Sequence, residues 1–278
     1  MIPCAAMRAA RDTIRIGVVG LGAIGRQVCR AIDRGLPGLA LAGATARTRE
    51  RAEAFLATLK SPPPFLDLDA LVAASDLVVE ASTQAHLQEI APKALGAGRD
   101  LVVLSCGALL GRVDWAALAQ ANGARILVPS GAIAGLDGIK GAAIGVIRAV
   151  TMETRKPPAG LAGAPWIVQQ RIDLDAIREE TLIFEGPATE ACRAFPANVN
   201  VLAALSLAGI GPERTRTKIY AVPGLTMNNH RIRVEGEFGT LAIEVSNVPS
   251  ENPRTGRLSY LSTIALLRDL GATLRVGT

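Results

Sequence analysis

Hydrophobic and polar positions alternate along the first half of the chain in a way that predicts strands followed by helices. Short apolar runs rich in β-branched residues are typical of buried strands, and they occupy residues 14–19, 39–44, 76–80, 101–104 and 125–128. Segments with apolar residues at helical spacing follow, at residues 24–32, 49–59, 68–73, 86–97 and 115–121. Because strand and helix alternate, the pattern predicts an α/β fold with a doubly wound, Rossmann-type parallel sheet.

The pattern changes after the glycine-rich segment at residues 129–137, where we expect the chain to cross into a second domain. Beyond it, strands are predicted at residues 147–154, 181–185, 218–222, 231–236 and 241–245, the last three antiparallel. Helices are predicted at residues 137–144, 190–195, 198–207 and 258–270. We therefore expect a first domain at 1–130 and a mixed α/β domain at 131–254, with the final helix, at about 255–278, returning to the first.

The turn between the first strand and the first helix carries glycines at the G-x-G-x-x-G spacing. Gly20 would make the tight turn, Gly22 would let a pyrophosphate approach the backbone, and Gly25 would let the helix pack closely on the strand. A helix N-terminus also offers free N–H groups to phosphates. The sequence predicts a nicotinamide- or flavin-dinucleotide site at Gly20, Gly22, Ala23, Ile24 and Gly25; a tight turn without a ligand is the alternative.

Small polar residues follow two further strands of the predicted sheet. Ser82 and Thr83 come directly after the third strand, and Ser105 follows the fourth. Because α/β sheets contact their cofactors at the carboxyl ends of the strands, we expect these three residues to contact the cofactor.

The residues after the second strand bear on the choice between NAD and NADP. An NAD-specific site has an acidic residue there, about 20 residues after the glycines, whereas this chain has Arg47 between two threonines and its first acid only at Glu50. A guanidinium at this place suits a 2′-phosphate. We therefore expect NADP to be preferred, with dual use of NAD; an exposed arginine at the start of the next helix is the alternative.

Composition and charge exclude several other classes of protein. The net charge of +5 comes from scattered Lys and Arg, with no basic run among aromatic residues, so we expect no nucleic-acid partner. No apolar stretch approaches the roughly 20 residues of a membrane helix, and the N-terminus is too weakly apolar for a signal peptide. The 4 cysteines lack metal-ligand spacing and there are only 2 histidines, so we expect no metal site and a reducing, cytoplasmic location.

Hydride transfer needs a group that exchanges a proton with the substrate, and histidine is the usual choice. His230 lies between two predicted strands and is the candidate, with a surface residue beside a turn as the equal alternative; His86 fits a surface or capping position. Lys156, after a strand and before two prolines, is a candidate for binding a substrate carboxylate or a solvated loop charge. Asn198 and Asn200, at a helix start, suit either capping or a carboxylate or carboxamide.

Cys106 supports a rival interpretation. A cysteine at a strand end beside a bound nicotinamide, with a histidine from the other domain, is the arrangement of an acylating aldehyde dehydrogenase. A small buried residue is the more common role of cysteine.

Several motifs together resemble the L-aspartate dehydrogenases, over nearly the full chain from Ile14. The similarity is most specific in the run Phe195–Gly209 taken with the later Asn229-His230. The other matching motifs are GLGAIG (20–25), SGAI (130–133), TRKP (154–157) and Asn252-Pro253.

The resemblance implies a function and roles for particular residues. His230 takes the position of the catalytic histidine, and Ala132 and Asn200 take positions that bind the cofactor. The implied reaction oxidises L-aspartate to iminoaspartate, with hydride transfer to NAD or NADP; the imine gives oxaloacetate and ammonia or passes to NAD biosynthesis. A homodimer is implied. We add Lys156, Asn198 and Asn229 as candidate substrate ligands.

One departure from the family pattern leaves other functions open. The family commonly has Ala-Asp-Pro where this chain has Ala221-Val222-Pro223. If that aspartate orients the histidine or the substrate amine, its loss changes activity or specificity. The alternatives are a related oxidoreductase with a different amino- or oxo-acid substrate, and an NADP-binding protein that has lost catalysis.

Overall fold

The computed structural model describes residues 13–196, 199–251 and 255–277. The first half forms a five-stranded parallel sheet in the order β2-β1-β3-β4-β5. Its strands are β1 (Ile14–Val19), β2 (Leu39–Thr45), β3 (Leu77–Glu80), β4 (Asp100–Val103) and β5 (Ile126–Leu127). Its helices are α1 (Ala23–Asp33), α2 (Arg49–Leu56), α3 (Leu68–Ala74), α4 (Gln84–Gly96) and α5 (Val113–Ala121). The strand order reverses between β1 and β3, and ligands of open α/β sheets bind at such a switch point.

The second half forms a five-stranded mixed sheet in the order β10-β9-β6-β8-β7. Its strands are β6 (Ile147–Lys156), β7 (Thr181–Pro187), β8 (Thr215–Ala221), β9 (Asn228–Gly236) and β10 (Gly239–Asn247). The helices are α6 (Leu136–Ala142), α7 (Pro165–Gln169), α8 (Ala188–Ala194), α9 (Asn200–Ala208) and α10 (Leu258–Gly271). The α/β fold with a parallel sheet and a second mixed sheet is confirmed.

The expectation that the strand near residues 218–222 is purely antiparallel is wrong. β8 runs antiparallel to β7 but parallel to β6. The chain leaves β6 and returns to β8 only after β7, α8 and α9, and such a long crossover is what parallel neighbours require. Sequence periodicity does not report this pairing, because it describes one strand at a time.

Two apolar clusters hold these layers together. One lies under the first sheet and includes Val28 and Ile32 of α1; Leu267, from α10 at the far end of the chain, is buried in the same cluster. The other spans α4, α5 and the helices on the second sheet. The last helix thus packs on α1, while the division into domains at residue 130 stays a prediction.

Strand β9 begins earlier than its sequence pattern indicates. The expected start was residue 231, with His230 outside the strand, but β9 begins at Asn228 and pairs with β6 from Asn229 onward. Two consecutive asparagines suggested a turn, yet pairing with β6 on one side and β10 on the other stabilises them as strand. His230 is therefore a buried strand residue.

Candidate active site

The glycine turn after β1 has the geometry that its sequence predicts. Gly20 has φ +96°, and a Cβ there would lie 2.5 Å from the Ala81 carbonyl oxygen. A Cβ on Gly25 would collide with the carbonyl oxygen of Gly20, so the α1 helix approaches the turn closely. At Gly22, by contrast, a Cβ would find no atom within 4 Å. No side chain caps α1 and its first turn carries no acid, so its N-terminus can receive a phosphate.

The buried carboxylate of Glu80 joins the ends of β3 and β4. Its Oε1 accepts hydrogen bonds from Ser82 N (2.7 Å), Ser82 Oγ (2.8 Å) and Ser105 Oγ (2.9 Å). Its Oε2 accepts from Ser105 N (2.9 Å) and Leu104 N (3.2 Å). Glu80 thus fixes two residues predicted to contact the cofactor. The sequence analysis missed it, although an acid at the end of an otherwise apolar strand was a visible signal.

A cavity of about 650 Å³ lies between the two sheets. The glycine turn and the ends of β3 and β4 line one side, and the second sheet with α9 and the start of α10 lines the other. The lining residues include Gly22, Ala23, Ile24, Ser82, Thr83, Ser105, Ala132, Lys156, Asn200, Asn228 and His230. Most residues proposed from sequence thus meet at one cavity, which is the default candidate for an active site.

His230 and Lys156 lie on the cavity wall that the second sheet supplies. His230 is 4 % exposed, and its Nδ1 lies 3.1 Å from Thr154 Oγ1 on the neighbouring strand. Burial, and then the charge of Lys156, lower the pKa of His230 to about 3. Burial lowers the pKa of Lys156 to about 8. The imidazole is therefore neutral at physiological pH, while Lys156 supplies a positive charge from a buried position.

The two asparagines before His230 lie on opposite faces of the second sheet. Successive side chains of a strand point to opposite faces, and Asn228 lines the cavity with His230 whereas Asn229 does not. The structure therefore replaces Asn229 by Asn228 as the candidate amide. The sequence pattern predicts a turn at this segment, and in a turn strand alternation cannot separate Asn229 from Asn228. Asn198 and the Asn252-Pro253 motif lie outside the described residues.

The start of α9 connects the two sides of the cavity. Asn200 Oδ1 accepts from Gly107 N (3.3 Å) and lies 3.5 Å from Gln84 Nε2, which also donates to Pro196 O (2.9 Å). Ala132 is held on the other side, where its carbonyl accepts from Asn247 Nδ2 (2.5 Å). These hydrogen bonds fix the Asn200 side chain and the Ala132 backbone at the wall of the cavity.

Cys106 lines the same cavity but is a poor nucleophile. Its thiol donates to the carbonyl oxygen of Asn200 (2.8 Å), and burial raises its pKa to about 12. A reactive cysteine needs a lowered pKa, so the geometry opposes the acylating route. Cys29 and Cys192 are also buried, unpaired thiols.

Arg47 lies outside the cavity lining, on the exposed turn after β2. The nearby Arg49 is engaged, since it pairs with Glu53 (2.9 Å) and lies over the Phe65 ring.

Thr83 caps α4, because its hydroxyl accepts a hydrogen bond from His86 N (3.3 Å), and the His86 side chain is exposed.

Neither a metal-binding cluster nor a membrane-spanning helix occurs in the described ranges. No group of three or more His, Cys, Asp or Glu side chains there is placed to hold a metal ion. Among the same residues, no helix combines the length and apolarity needed to cross a membrane.

Comparison with known proteins agrees with this arrangement. Residues 137–270 match the family described as aspartate dehydrogenase, C-terminal, and residues 20–129 match the homoserine dehydrogenase NAD-binding domain. The chain is 48% identical to an L-aspartate dehydrogenase of Bradyrhizobium diazoefficiens over 97% of this chain and 96% of that protein. It is 46% identical to one of Methanosarcina barkeri, over 95% and 100%.

A solved structure shares the fold. The aspartate dehydrogenase of Thermotoga maritima superimposes with a TM-score of 0.71, at 23% identity, over 95% of this chain and 99% of that one. The relatives are oxidoreductases that act on a CH–NH₂ group, and this chain has their NAD(P)-binding domain. With nearly full-length identity of 48% and 46% to two of its members, the chain belongs to the L-aspartate dehydrogenase family.

Proposed function

We propose that this enzyme oxidises L-aspartate to iminoaspartate with NADP or NAD, preferring NADP, and that water converts the imine to oxaloacetate and ammonia. The observation that supports the proposal most is that a buried His230 and a buried Lys156 face the same cavity as the glycine turn. A dicarboxylic amino acid needs both a proton acceptor for its amine and a cation for a carboxylate.

The residues present fit a nicotinamide dinucleotide. Open space at Gly22 and the uncapped start of α1 suit the pyrophosphate. The ribose and nicotinamide would lie against the ends of β3 and β4, at Ser82, Thr83 and Ser105. On the other side of the cavity, the nicotinamide would contact Ala132 and Asn200. When bound, the cofactor accepts the hydride from the substrate Cα.

His230 would hold and move the proton in this reaction. Nδ1 is engaged with Thr154 Oγ1 (3.1 Å), which leaves Nε2 for the substrate. For Nε2 to act as a base, Nδ1 must carry the proton and donate it to the Thr154 hydroxyl, and this is the tautomer that the role requires. His230 would accept a proton from the substrate ammonium group, release it to solvent, and then accept a proton from the water that attacks the imine. Burial, and then the charge of Lys156, lower the pKa of His230, which keeps Nε2 unprotonated before the substrate binds; a substrate carboxylate paired with Lys156 would offset that charge and make the ring a better base.

Lys156 would bind a substrate carboxylate. Its ammonium group lies in a buried position beside His230, where an ion pair is worth more than in water. Burial, and then this same charge, lower the pKa of His230 and keep the ring unprotonated before the substrate binds.

Arg47 would select NADP through the 2′-phosphate, because it is exposed and no carboxylate among the described residues pairs with it, whereas Glu53 pairs with Arg49. We expect Arg47→Ala to lower kcat/KM for NADP by about tenfold, or 1.4 kcal/mol, and to leave NAD within twofold. Arg51→Ala, an exposed arginine on α2, is the matched control. Equal loss with both cofactors would contradict this role.

We further propose a homodimer in a reducing, cytoplasmic compartment. Side chains on the outer face of the second sheet, such as Arg216, Arg231 and Glu244, are exposed, which leaves that face available to a second copy. The buried, unpaired thiols suit a reducing compartment. Light scattering at micromolar concentration tests the dimer, and a mass of 28.9 kDa would contradict it.

A further inference from the structure

A row of polar residues crosses the second sheet at the cavity. In the antiparallel pairing of β6 with β9, Thr154 faces His230 and Arg155 faces Asn229. One further step in the same register sets Lys156, the last residue of β6, opposite Asn228, the first of β9. On its other side, Asn228 pairs with Asn247 of β10. Directly opposed residues of an antiparallel pair have their Cβ atoms about 5 Å apart.

The Asn228 side chain is buried, and no hydrogen-bond partner for its amide lies among the described residues. Asn228 is 6 % exposed and lines the cavity. No hydrogen bond joins its side chain to another of the described residues, whereas the equally buried Asn247 binds the Ala132 carbonyl. The amide borders the cavity, so a ligand bound there can supply the hydrogen bonds that the described residues do not.

The chemistry of the pair selects the ligand. Lys156 has only donors, and the Asn228 amide adds two N–H donors. Two groups that donate side by side, one of them positively charged, fit the two oxygen atoms of a carboxylate. His230 lies two residues further along β9 on the same face, which is about 7 Å away. This spacing suits a substrate with its amine at His230 and a carboxylate at the pair.

We propose that Asn228 is a specificity-determining residue that, with Lys156, forms one two-donor pocket for a carboxylate of the dicarboxylic substrate. This deepens the proposed function and rests on it for the identity of the substrate. The Lys156 charge provides attraction, and the Asn228 amide orients the carboxylate. Asn229, on the other face of the sheet, takes no part.

The test measures the dissociation constant of succinate, a dicarboxylate without an amine. Calorimetry is done with the full-length enzyme saturated with NADPH. Aspartate KM and kcat are measured in parallel. We expect Asn228→Ala to weaken succinate binding and raise aspartate KM by about tenfold, while kcat changes less than threefold. Asn228→Asp should weaken succinate binding and raise aspartate KM by at least about a hundredfold each. The new carboxylate would pair with Lys156 and repel the carboxylate of the ligand.

The order of the two variants separates recognition from packing. Asp matches Asn in shape, so a purely structural role would make Asn228→Asp the milder change, whereas a carboxylate pocket makes it the more severe one. NADPH affinity should stay unchanged in both variants, because Asn228 lies on the second sheet and not on the glycine turn. Gln120→Glu, an amide-to-carboxylate change at an exposed position of α5, is the matched control.

Two different failures can be told apart. Succinate affinity and aspartate KM within twofold of wild type in both Asn228 variants would overturn the pocket. An Asn228→Asp change milder than Asn228→Ala would overturn it too. If the wild-type enzyme binds succinate in an Asn228-dependent way but oxidises no aspartate, the pocket stands and the proposed reaction fails.

Discussion

Replacing Glu80 by glutamine should loosen the two strand ends that face the cofactor. The carboxylate accepts five hydrogen bonds, three from backbone N–H groups and two from the hydroxyls of Ser82 and Ser105. A glutamine has one acceptor oxygen and one NH₂ group. With its oxygen in place of Oε2, it still accepts from Leu104 N and Ser105 N. Its NH₂ group then faces Ser82 N–H, which cannot turn away.

The cost follows from this count. Both hydroxyls can rotate to accept from the NH₂ group, so one backbone N–H loses its partner, at about 1–3 kcal/mol. The surviving bonds lose their charge assistance, and the relief of burying a charge offsets part of that loss. We therefore expect a net destabilisation of about 2 kcal/mol. At about 2 °C per kcal/mol for a chain of this size, the melting temperature should fall by about 4 °C.

The assay combines thermal unfolding with cofactor kinetics. Glu80→Gln should also raise the KM for the cofactor by several-fold and leave the KM for aspartate nearly unchanged, because Ser82 and Ser105 border the cofactor side of the cavity. Glu89→Gln is the matched control, since Glu89 is exposed and its ion pairs are worth about 0–1 kcal/mol. A melting temperature within 1 °C of wild type, together with an unchanged cofactor KM, would refute this reasoning.

Three further predictions concern the cavity itself. Lys156→Ala should raise aspartate KM by at least about tenfold, or 1.4 kcal/mol, in steady-state kinetics; an unchanged KM removes Lys156 from substrate binding. Because the pKa of Lys156 is lowered to about 8, its charge is present below that pH and lost above it. The dissociation constant of succinate should therefore stay flat to about pH 8 and then rise by about tenfold per pH unit, whereas in Lys156→Arg it should stay flat throughout. Cys106→Ser should keep at least about a third of wild-type kcat. A complete loss of activity with the fold intact would support the acylating route through Cys106.

The features predicted correctly from sequence are those that local chemistry determines. The glycine turn, its flanking strand and helix, and the alternation through β5 depend on periodicity and on the special backbone of Gly20. The features that were missed depend on contacts between distant segments. Glu80 gains its role from donors after β4, Asn228 enters the cavity because β9 starts early, and β8 lies beside β6 through a long crossover. No short stretch of sequence contains this information.

The sequence motifs that carry the family resemblance also give less information than the geometry does. The motif Asn229-His230 pointed to both residues, yet strand alternation places only His230 at the cavity. The sequence leaves Lys156 open between a carboxylate ligand and a solvated loop charge, and the structure makes it the buried last residue of β6. At the Val222 departure, the backbone N–H donates to the Lys156 carbonyl (2.8 Å), so this segment still supports the lysine.

Aspartate oxidation with His230 as the proton acceptor is tested most directly by measuring cofactor reduction from its absorbance. L-Aspartate is compared with a panel of other amino acids, for the wild-type enzyme and for His230→Ala. The account predicts rapid, aspartate-selective reduction that falls by about 10²- to 10⁴-fold in the variant, while cofactor binding is retained. If wild type binds NADPH but reduces no cofactor with aspartate, or if His230→Ala keeps its rate, the account is contradicted.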